Sequence, residues 1–375
     1  MPCLNEAVTV GDCVDEALAG LGRLGIEGEV VVADNGSGDG SARIAQAHGA
    51  RVIQVAERGY GRALRAGIEA AGAEFVVMAD ADRSYELDRL EAFWERLQEG
   101  DELVLGNRFR GQILPGAMPW INRHLGNPLL SYLGRLFYRT PARDLHCGLR
   151  ALSKSAFERM ALSTSGMEFA SEMVVRASLL GLRVSEVPVN LRPAGRQRPP
   201  HLRPWRDGWR HLRFLLLFSP RWLFLYPGLV LMLLGFGLGL WLLPGPERLG
   251  RVRFDVHSLL VASTLVILGY QAVTFALLVK LFALREGWHR PSPRLQRWLG
   301  RIRLERGLAL GGLLTAVGLA VLLGSFLVWQ ARGFGNLNPD QTMRLVIPAS
   351  TLLTLGMETI FASFFVSLLA LESAA

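Results

Sequence analysis

The chain has 375 residues, is half hydrophobic and carries a formal net charge of +8. That charge is unevenly placed, because residues 1–191 hold twenty Lys and Arg against twenty-five Asp and Glu, a balance of −5. The basic excess lies downstream beside long apolar stretches, where anionic lipid headgroups are the natural counter-charge, so a membrane is expected as partner and no nucleic acid.

In chain order, the opening Met1-Pro2-Cys3-Leu4-Asn5-Glu6 has no apolar core of the signal-peptide kind. This predicts that the first 190 residues stay in the cytoplasm. Cys3, Cys13 and Cys147 show no metal-ligand spacing, and reduced thiols are expected there. Strand and helix then alternate. The pattern predicts strands over 29–33, 51–55, 75–79 and 102–105, with helices over 41–48, 59–71 and 87–98 between them. Strands separated by helices of about 10–15 residues imply βαβ units and a mainly parallel, doubly wound α/β sheet, whose strand-end loops gather along one edge.

Three of those loops carry chemistry. Asp34-Asn35-Gly36-Ser37-Gly38-Asp39-Gly40-Ser41 has glycines that permit close backbone approach to a ligand, and carboxylates that suit a base or ribose rather than a phosphate. A solvated turn capping the next helix through Ser41 is the plainer alternative. Glu57-Arg58-Gly59-Tyr60-Gly61-Arg62 sets glycines and two arginines at a helix N-terminus, a place for a diphosphate, though a GxG pattern is weak by itself. Asp80-Ala81-Asp82 ends the apolar run Phe75-Val76-Val77-Met78-Ala79. Carboxylates at i and i+2 beyond the sheet edge can both turn toward one Mg²⁺ or Mn²⁺, with substrate phosphates completing its shell.

Two later segments read as amphipathic. Trp120-Ile121, Leu125, Leu129-Leu130, Leu133 and Leu136-Phe137 draw an apolar stripe flanked by Arg108, Arg110, Arg123, Arg135 and Arg139. It is either a core-facing helix or an interfacial one that guides a lipid phosphate to Arg108 and Arg123. Trp205, Trp209, Leu212 and Leu216 share one face of a second helix, with Arg206, Arg210 and Arg213 on the other, the pattern of a helix lying in the membrane interface. Four uncharged stretches follow, 222–243, 258–279, 307–331 and 345–371, the last interrupted by Glu358 alone. Each is longer than the roughly 20 residues that span a bilayer, so four transmembrane helices are expected. Fifteen Arg in 192–221 and 285–306 against five in 244–257 and 332–344 put both termini and the middle loop in the cytoplasm. The domains expected are a cytoplasmic one over 1–199, a juxtamembrane amphipathic helix over 200–221 and a four-helix membrane domain over 222–375. Glu358 is either functional or a neutral, hydrogen-bonded acid between helices.

The motifs Leu4-Asn5-Glu6, Asp34 to Ser41, Gly59-Tyr60-Gly61-Arg62-Ala63, Asp80-Ala81-Asp82 and Gly106-Asn107-Arg108-Phe109 occur in the order and spacing of family 2 glycosyltransferases, which the chain resembles over about 1–215. Asp144-Leu145-His146-Cys147-Gly148-Leu149-Arg150-Ala151 and Glu186-Val187-Pro188-Val189 look like the polyprenyl-phosphate sugar synthase branch, which includes dolichol-phosphate mannose synthase. The four-helix tail is similar to that of bacterial members with added membrane segments. In that family a full strand precedes the Pro-x-x-Asn-Glu motif, whereas here the motif starts at Pro2. An upstream start, or loss of most of the first strand, is therefore expected.

The resemblance implies a GT-A (Rossmann-like) fold and an inverting transfer of a hexose from UDP-glucose or GDP-mannose to a polyprenyl (undecaprenyl or dolichyl) phosphate. It implies that Asn5, Glu6, Asp34, Gly36, Ser37, Gly59, Gly61, Arg62 and Asp80 bind the nucleotide sugar, and that Asp82, with Asp80, holds the metal. Glu172, where many family members carry a catalytic acid, and Asp144 are candidates for the base or for an orienting role. The acceptor phosphate is already anionic at pH 7, which favours orientation. Two other readings stay in play: a processive polysaccharide synthase, and a non-catalytic lipid-carrier-binding membrane protein. The first expects Gln-x-x-Arg-Trp, and Gln296-Arg297-Trp298 has the wrong spacing; the retained acidic and glycine motifs weigh against the second. The oligomeric state, a homo-oligomer included, is left open.

Overall fold

The computed structural model describes residues 1–195, 204–286 and 304–371. They fall into two compact units, Met1–Phe218 and Ser219–Ala375. The expected boundary at 199–200, the Arg-rich loop beyond Glu286 and Gln296-Arg297-Trp298 lie outside the described residues.

The first unit is built on β1 (Pro2–Cys3), β2 (Val31–Asp34), β3 (Arg51–Gln54), β4 (Phe75–Met78), β5 (Leu103–Asn107), β6 (Arg150–Ser153) and β7 (Val184–Pro188). Its helices are α1 (Val10–Leu24), α2 (Ser41–Ala47), α3 (Tyr60–Ala70), α4 (Glu91–Gln98), α5 (Asn127–Tyr138), α6 (Lys154–Met160), α7 (Phe169–Leu180) and α8 (Pro204–Leu217). Strands β1-β2-β3 form a parallel sheet, and β4-β6-β5-β7 form a second, mixed one. In the second, β5 and β7 are parallel, while β6 runs antiparallel to both β4 and β5. The alternation of side chains along a strand sorts the core into two layers. Val104 and Ala151 face a cluster with Val10, Val14, Ala45 and Phe93, from α1, α2 and α4. Leu103, Leu105 and Leu152 face the opposite way, onto Leu64, Ile68, Met160, Phe169 and Met173 of α3, α6 and α7. Helices thus cover both faces, as the alternating pattern predicts.

Three departures have local causes. Helix α4 starts at Glu91 rather than 87, because Leu87 N–H donates to Glu16 Oε2 at 3.4 Å and Arg192 N–H to Ser84 O at 2.9 Å, holding the preceding chain in loop conformation. Helix α1, unforeseen, has Val10, Cys13, Val14 and Ala17 buried at helical spacing. Strand β6 escaped notice because it is four residues long and begins with an arginine.

β1 pairs with β2 from its first residue. The Met1 ammonium donates to Val31 O at 2.7 Å, and Ala33 N–H donates to Met1 O at 2.8 Å. Beside it, a partly open apolar pocket of about 240 Å³ lies between β2 and β4, with walls that include Met1, Val31, Leu64, Ile68, Met78 and Leu97.

Among the described residues the second unit holds four helices long and apolar enough to cross a membrane: Arg221–Leu242, which is α9 (Tyr226–Leu242) preceded by a π-helical turn, α10 (Val256–Arg285), α11 (Leu304–Ala331) and α12 (Pro339–Leu371). Small residues let their backbones approach, as apolar packing in lipid requires. A Cβ on Gly235 would stand 2.7 Å from Ala262 O, pairing α9 with α10. One on Gly318 would stand 2.7 Å from Ala349 O, pairing α11 with α12. Helices α10 and α12 are joined by hydroxyl contacts of 2.6 Å, Ser263 with Thr351 and Tyr270 with Thr359. Glu358 Oε2 is sealed from solvent without a hydrogen-bond partner among the described residues. Outside the apolar segments, Asp255 caps α10 through Val256 N–H and pairs with Arg344 at 2.7 Å.

Candidate active site

The first loop, at the end of β2, lies between the Asn5-Glu6 segment that follows β1 and the second loop, which follows β3, and hydrogen bonds knit the three together. Buried Asp34 accepts from Ser37 N–H at 3.3 Å with both oxygens. Asn5, in the left-handed region at φ 57°, takes Gly38 N–H on its Oδ1 at 2.9 Å, while its own N–H donates to Ser37 Oγ at 2.9 Å. Glu6 N–H donates to Ser41 Oγ at 2.9 Å. Asn35 spans to the second loop, donating to Val55 O and Glu57 O and accepting Gly59 N–H at 2.7 Å. Arg62 forms an ion pair with Glu57. Asn5, Glu6, Ser37 and Gly59 are therefore brought into one neighbourhood by hydrogen bonds that only the folded chain supplies, with Asp34, Gly36 and Arg62 on the same two loops.

The third loop turns out of β4. Asp80 Oδ1 accepts the Tyr60 hydroxyl at 2.9 Å. Its Oδ2 faces Gly148, where a Cβ would meet it at 2.5 Å. Asp82, 4% exposed, accepts Ser84 N–H on Oδ1 at 3.0 Å, and its carbonyl accepts Gly195 N–H at 2.9 Å. Burial, with Asp80 adding to it, raises the Tyr60 phenol well above its ordinary pKa, so it remains a donor. The same direction holds for Tyr85, whose oxygen accepts Gly148 N–H at 2.9 Å.

The 144–150 motif reaches this site as a loop held by buried side chains. Arg108, 8% exposed, grips Asp144 through Nε and Nη2 at 2.7 Å each, and its N–H adds a third bond at 3.1 Å. Burial opposes the guanidinium charge, but Asp144 outweighs it and raises the Arg108 pKa. Glu186 accepts Asp144 N–H at 3.0 Å and the Asn107 amide at 2.8 Å. Arg150, fully buried, donates to the carbonyls of Cys147 (2.8 Å), Ala170 (2.6 Å) and Leu145 (2.6 Å). Glu172, 1% exposed in the first turn of α7, spends both oxygens on Ser163 and Thr164. Arg123 sits exposed in the π-helical turn Asn122–Gly126 before α5. Arg108 and Arg123 thus occupy different settings, one buried in a pair and one open to solvent.

Residues 1–161 match the glycosyl transferase family 2 profile, and 277–370 match the family 2 C-terminal transmembrane region. The low-salt glycan biosynthesis hexosyltransferase Agl6 of Haloferax volcanii is 35% identical over 368 residues, 97% of this chain and 86% of the relative. The chain belongs to glycosyltransferase family 2. Another relative, a dolichyl-phosphate hexose transferase of the same organism, is 30% identical over 51% of this chain and 81% of its own length. Among solved structures, a glucosyl-3-phosphoglycerate synthase of Mycobacterium tuberculosis, in complex with Mn²⁺, UDP and glucosyl-3-phosphoglycerate, has a TM-score of 0.43 at 22% identity, covering 58% of this chain and 75% of that one. That likeness is too distant to transfer a ligand.

The enzyme is thus a family 2 glycosyltransferase with an α/β unit and a unit of long apolar helices. Carboxylates at a strand end are hard oxygen donors of the kind that Mg²⁺ or Mn²⁺ takes. Among the described residues no group of three or more His, Cys, Asp or Glu is gathered for an ion. The glycosyltransferase also carries an apolar surface. Trp120, Leu125, Leu129, Tyr132 and Leu136 are 38–74% exposed, while Leu130, Leu133 and Phe137 of the same stripe pack inward against Tyr138, Val175, Phe214 and Leu215. Helix α8 is likewise two-sided: Trp205 and Trp209 stand 83% and 59% exposed, and His211, Phe214 and Leu215 are buried. Residues missed by sequence reasoning are Tyr60 as partner of Asp80, Tyr85, Asn107, Arg150 and Glu186. A tyrosine between two singled-out glycines was the available signal for Tyr60; the others gain meaning only from the contact.

Proposed function

We propose that the enzyme moves a hexose from a nucleotide sugar, UDP-glucose or GDP-mannose, to a polyprenyl phosphate at the cytoplasmic face of the cell membrane. The observation that carries this reading is the outward apolar face of two packed helices, α5 and α8, beside exposed Arg123. A catalytic unit acting on soluble acceptors has no use for exposed Trp120, Trp205 and Trp209, whereas one working at headgroup level does. The name of the dolichyl-phosphate hexose transferase relative supports the same acceptor class.

In this reading Asn5, Glu6, Asp34, Gly36, Ser37, Gly59, Gly61 and Arg62 hold the nucleotide, and Asp80 lies beside its sugar. Asp82, with Asp80, holds Mg²⁺ or Mn²⁺, which when bound offsets charge on the departing nucleoside diphosphate. An acceptor phosphate oxygen attacks the anomeric carbon as the bond to the diphosphate breaks, with inversion. A phosphate with a second pKa near about 6 needs no general base. Arg123 is the exposed forked donor for that phosphate, while Arg108 and Asp144 stiffen the loop behind it.

The test uses membranes containing the full chain, a panel of labelled nucleotide sugars and isoprenoid phosphate. A chloroform-extractable, sugar-bearing lipid is expected, and Arg123→Ala should raise the acceptor KM about tenfold with the donor KM unchanged. A chloroform-insoluble polymer, or a soluble sugar serving equally well as acceptor, would overturn the assignment.

A further inference from the structure

We propose that Tyr60 is a positioning residue for Asp80, and that Glu172, buried behind the neighbouring loop, acts on the donor site through it. The inference rests on the reading that Asp80 lies beside the nucleotide sugar.

The connection runs through contacts at each step. The Glu172 carboxylate accepts Ser163 N–H at 3.0 Å, Ser163 Oγ–H at 3.0 Å, Thr164 N–H at 2.9 Å and Thr164 Oγ1–H at 2.6 Å. These bonds set the carbonyls that follow. Gly61 N–H donates to Ser165 O at 2.9 Å. A Cβ on Gly59 would stand 2.4 Å from Ser165 O, and one on Gly61 would stand 2.7 Å from Thr164 O. The 163–165 loop and the Gly59–Gly61 turn therefore dock backbone to backbone, which is why both positions are glycine. Gly59 also has φ 151°, a conformation L side chains rarely adopt.

Tyr60 stands between those glycines. Its hydroxyl reaches Asp80 Oδ1 at 2.9 Å, and Gly148 closes on Oδ2 from another side. A strand-end aspartate has free rotation at χ2, and a fixed phenol donor on one oxygen with a backbone wall on the other removes it. Displacing the 163–165 loop would shift the turn, then the phenol, then the carboxylate. Glu172 thereby acquires a task that needs no proton transfer, and the glycine loop acquires one that needs no phosphate.

The experiment uses detergent-solubilised full-length protein with Mn²⁺, and UDP-glucose and GDP-mannose as probes. Tyr60→Phe is expected to weaken calorimetric donor binding about tenfold, the usual worth of a hydrogen bond to a charged group. The acceptor KM and the thermal midpoint should stay in place. Glu172→Ala should show the same donor defect, Glu172→Gln should recover most of it, and Tyr60→Phe with Glu172→Ala should be no worse than Glu172→Ala alone. Wild-type donor binding in Tyr60→Phe, or effects that multiply in the double variant, would overturn the inference; Tyr60→Phe alone decides it should Glu172→Ala fail to fold. Asp80→Asn separates the two levels. If it too binds donor normally, the reading of Asp80 fails; if it is impaired while Tyr60→Phe is not, only the role of Tyr60 fails.

Discussion

Arg108 and Asp144 form a two-pronged ion pair, with both guanidinium contacts at 2.7 Å and side chains 10% and 0% exposed. The pair ties the end of β5 to the loop that presses Gly148 against Asp80. A buried pair of this kind is costly to break from one side, because the survivor is left charged without a partner.

Asp144→Ala is therefore expected to destabilise the protein by about 3–5 kcal/mol. Arg108→Lys should also destabilise, since an ammonium cannot reproduce the fork. Thermal unfolding of the solubilised protein checks both. An Asp144→Ala midpoint within a degree of wild type would show that the pair carries no structural weight.

Chelation by EDTA should abolish transfer, and Mg²⁺ or Mn²⁺ should restore it. Asp82→Asn keeps an oxygen for Ser84 N–H, a 3.0 Å bond in the native protein, so its fold should survive. Its activity is expected to fall by about 100-fold or more, the scale of losing an electrostatic contact to the leaving group. Full activity of Asp82→Asn in excess chelator would end the metal reading.

Topology is open to labelling, because Cys3, Cys13 and Cys147 are all buried and give little background. With both termini in the cytoplasm, an impermeant thiol reagent outside intact cells should reach Arg251→Cys and miss Glu286→Cys. Both positions are exposed. The reverse pattern would place the catalytic unit on the other side of the membrane.

His146 predicts an acid-sensitive fold. Among the described residues both ring nitrogens are sealed from solvent without a hydrogen-bond partner, and the ring centroid lies 4.6 Å from that of His211. Burial first, then the charges of His211, Arg108 and Arg150, hold its pKa well below the ordinary 6.5. The unfolded chain binds a proton below that value and the folded one does not. This contribution is thus fully present above pH 6.5 and is lost as pH falls, by about 1.4 kcal/mol per unit. Unfolding midpoints between pH 7.5 and 5.5 should show the slope in wild type and a shallower one in His146→Phe; equal slopes would assign it elsewhere.

Much of the architecture was legible because it rests on periodicity. Strands β2 to β5 and helices α2 and α3 appear within a few residues of their expected positions, each carried by an apolar pattern of period two or near 3.6. The four long helices needed only length and absence of charge. Strand β6 was illegible, since its opening Arg150 reads as polar yet is fully buried, satisfied by three carbonyls from elsewhere in the fold. The stripe around 120–137 was legible as apolar but not as two-sided, because one helix turn cannot reveal which neighbours α7 and α8 will supply.

By itself the sequence determined the two-part plan, the family, and the loops holding Asp34, Gly59 and Asp80, since local pattern and motif order are properties of contiguous residues. Only the tertiary structure decided what those residues touch. It turned Arg108 inward to Asp144, gave Glu172 to Ser163 and Thr164, and set Tyr60 on Asp80. Arg108 meets Asp144 across 36 positions of chain, and Tyr60 meets Asp80 across 20. A buried charge must find its partner wherever packing brings one, and that choice belongs to the assembled core rather than to any window of sequence.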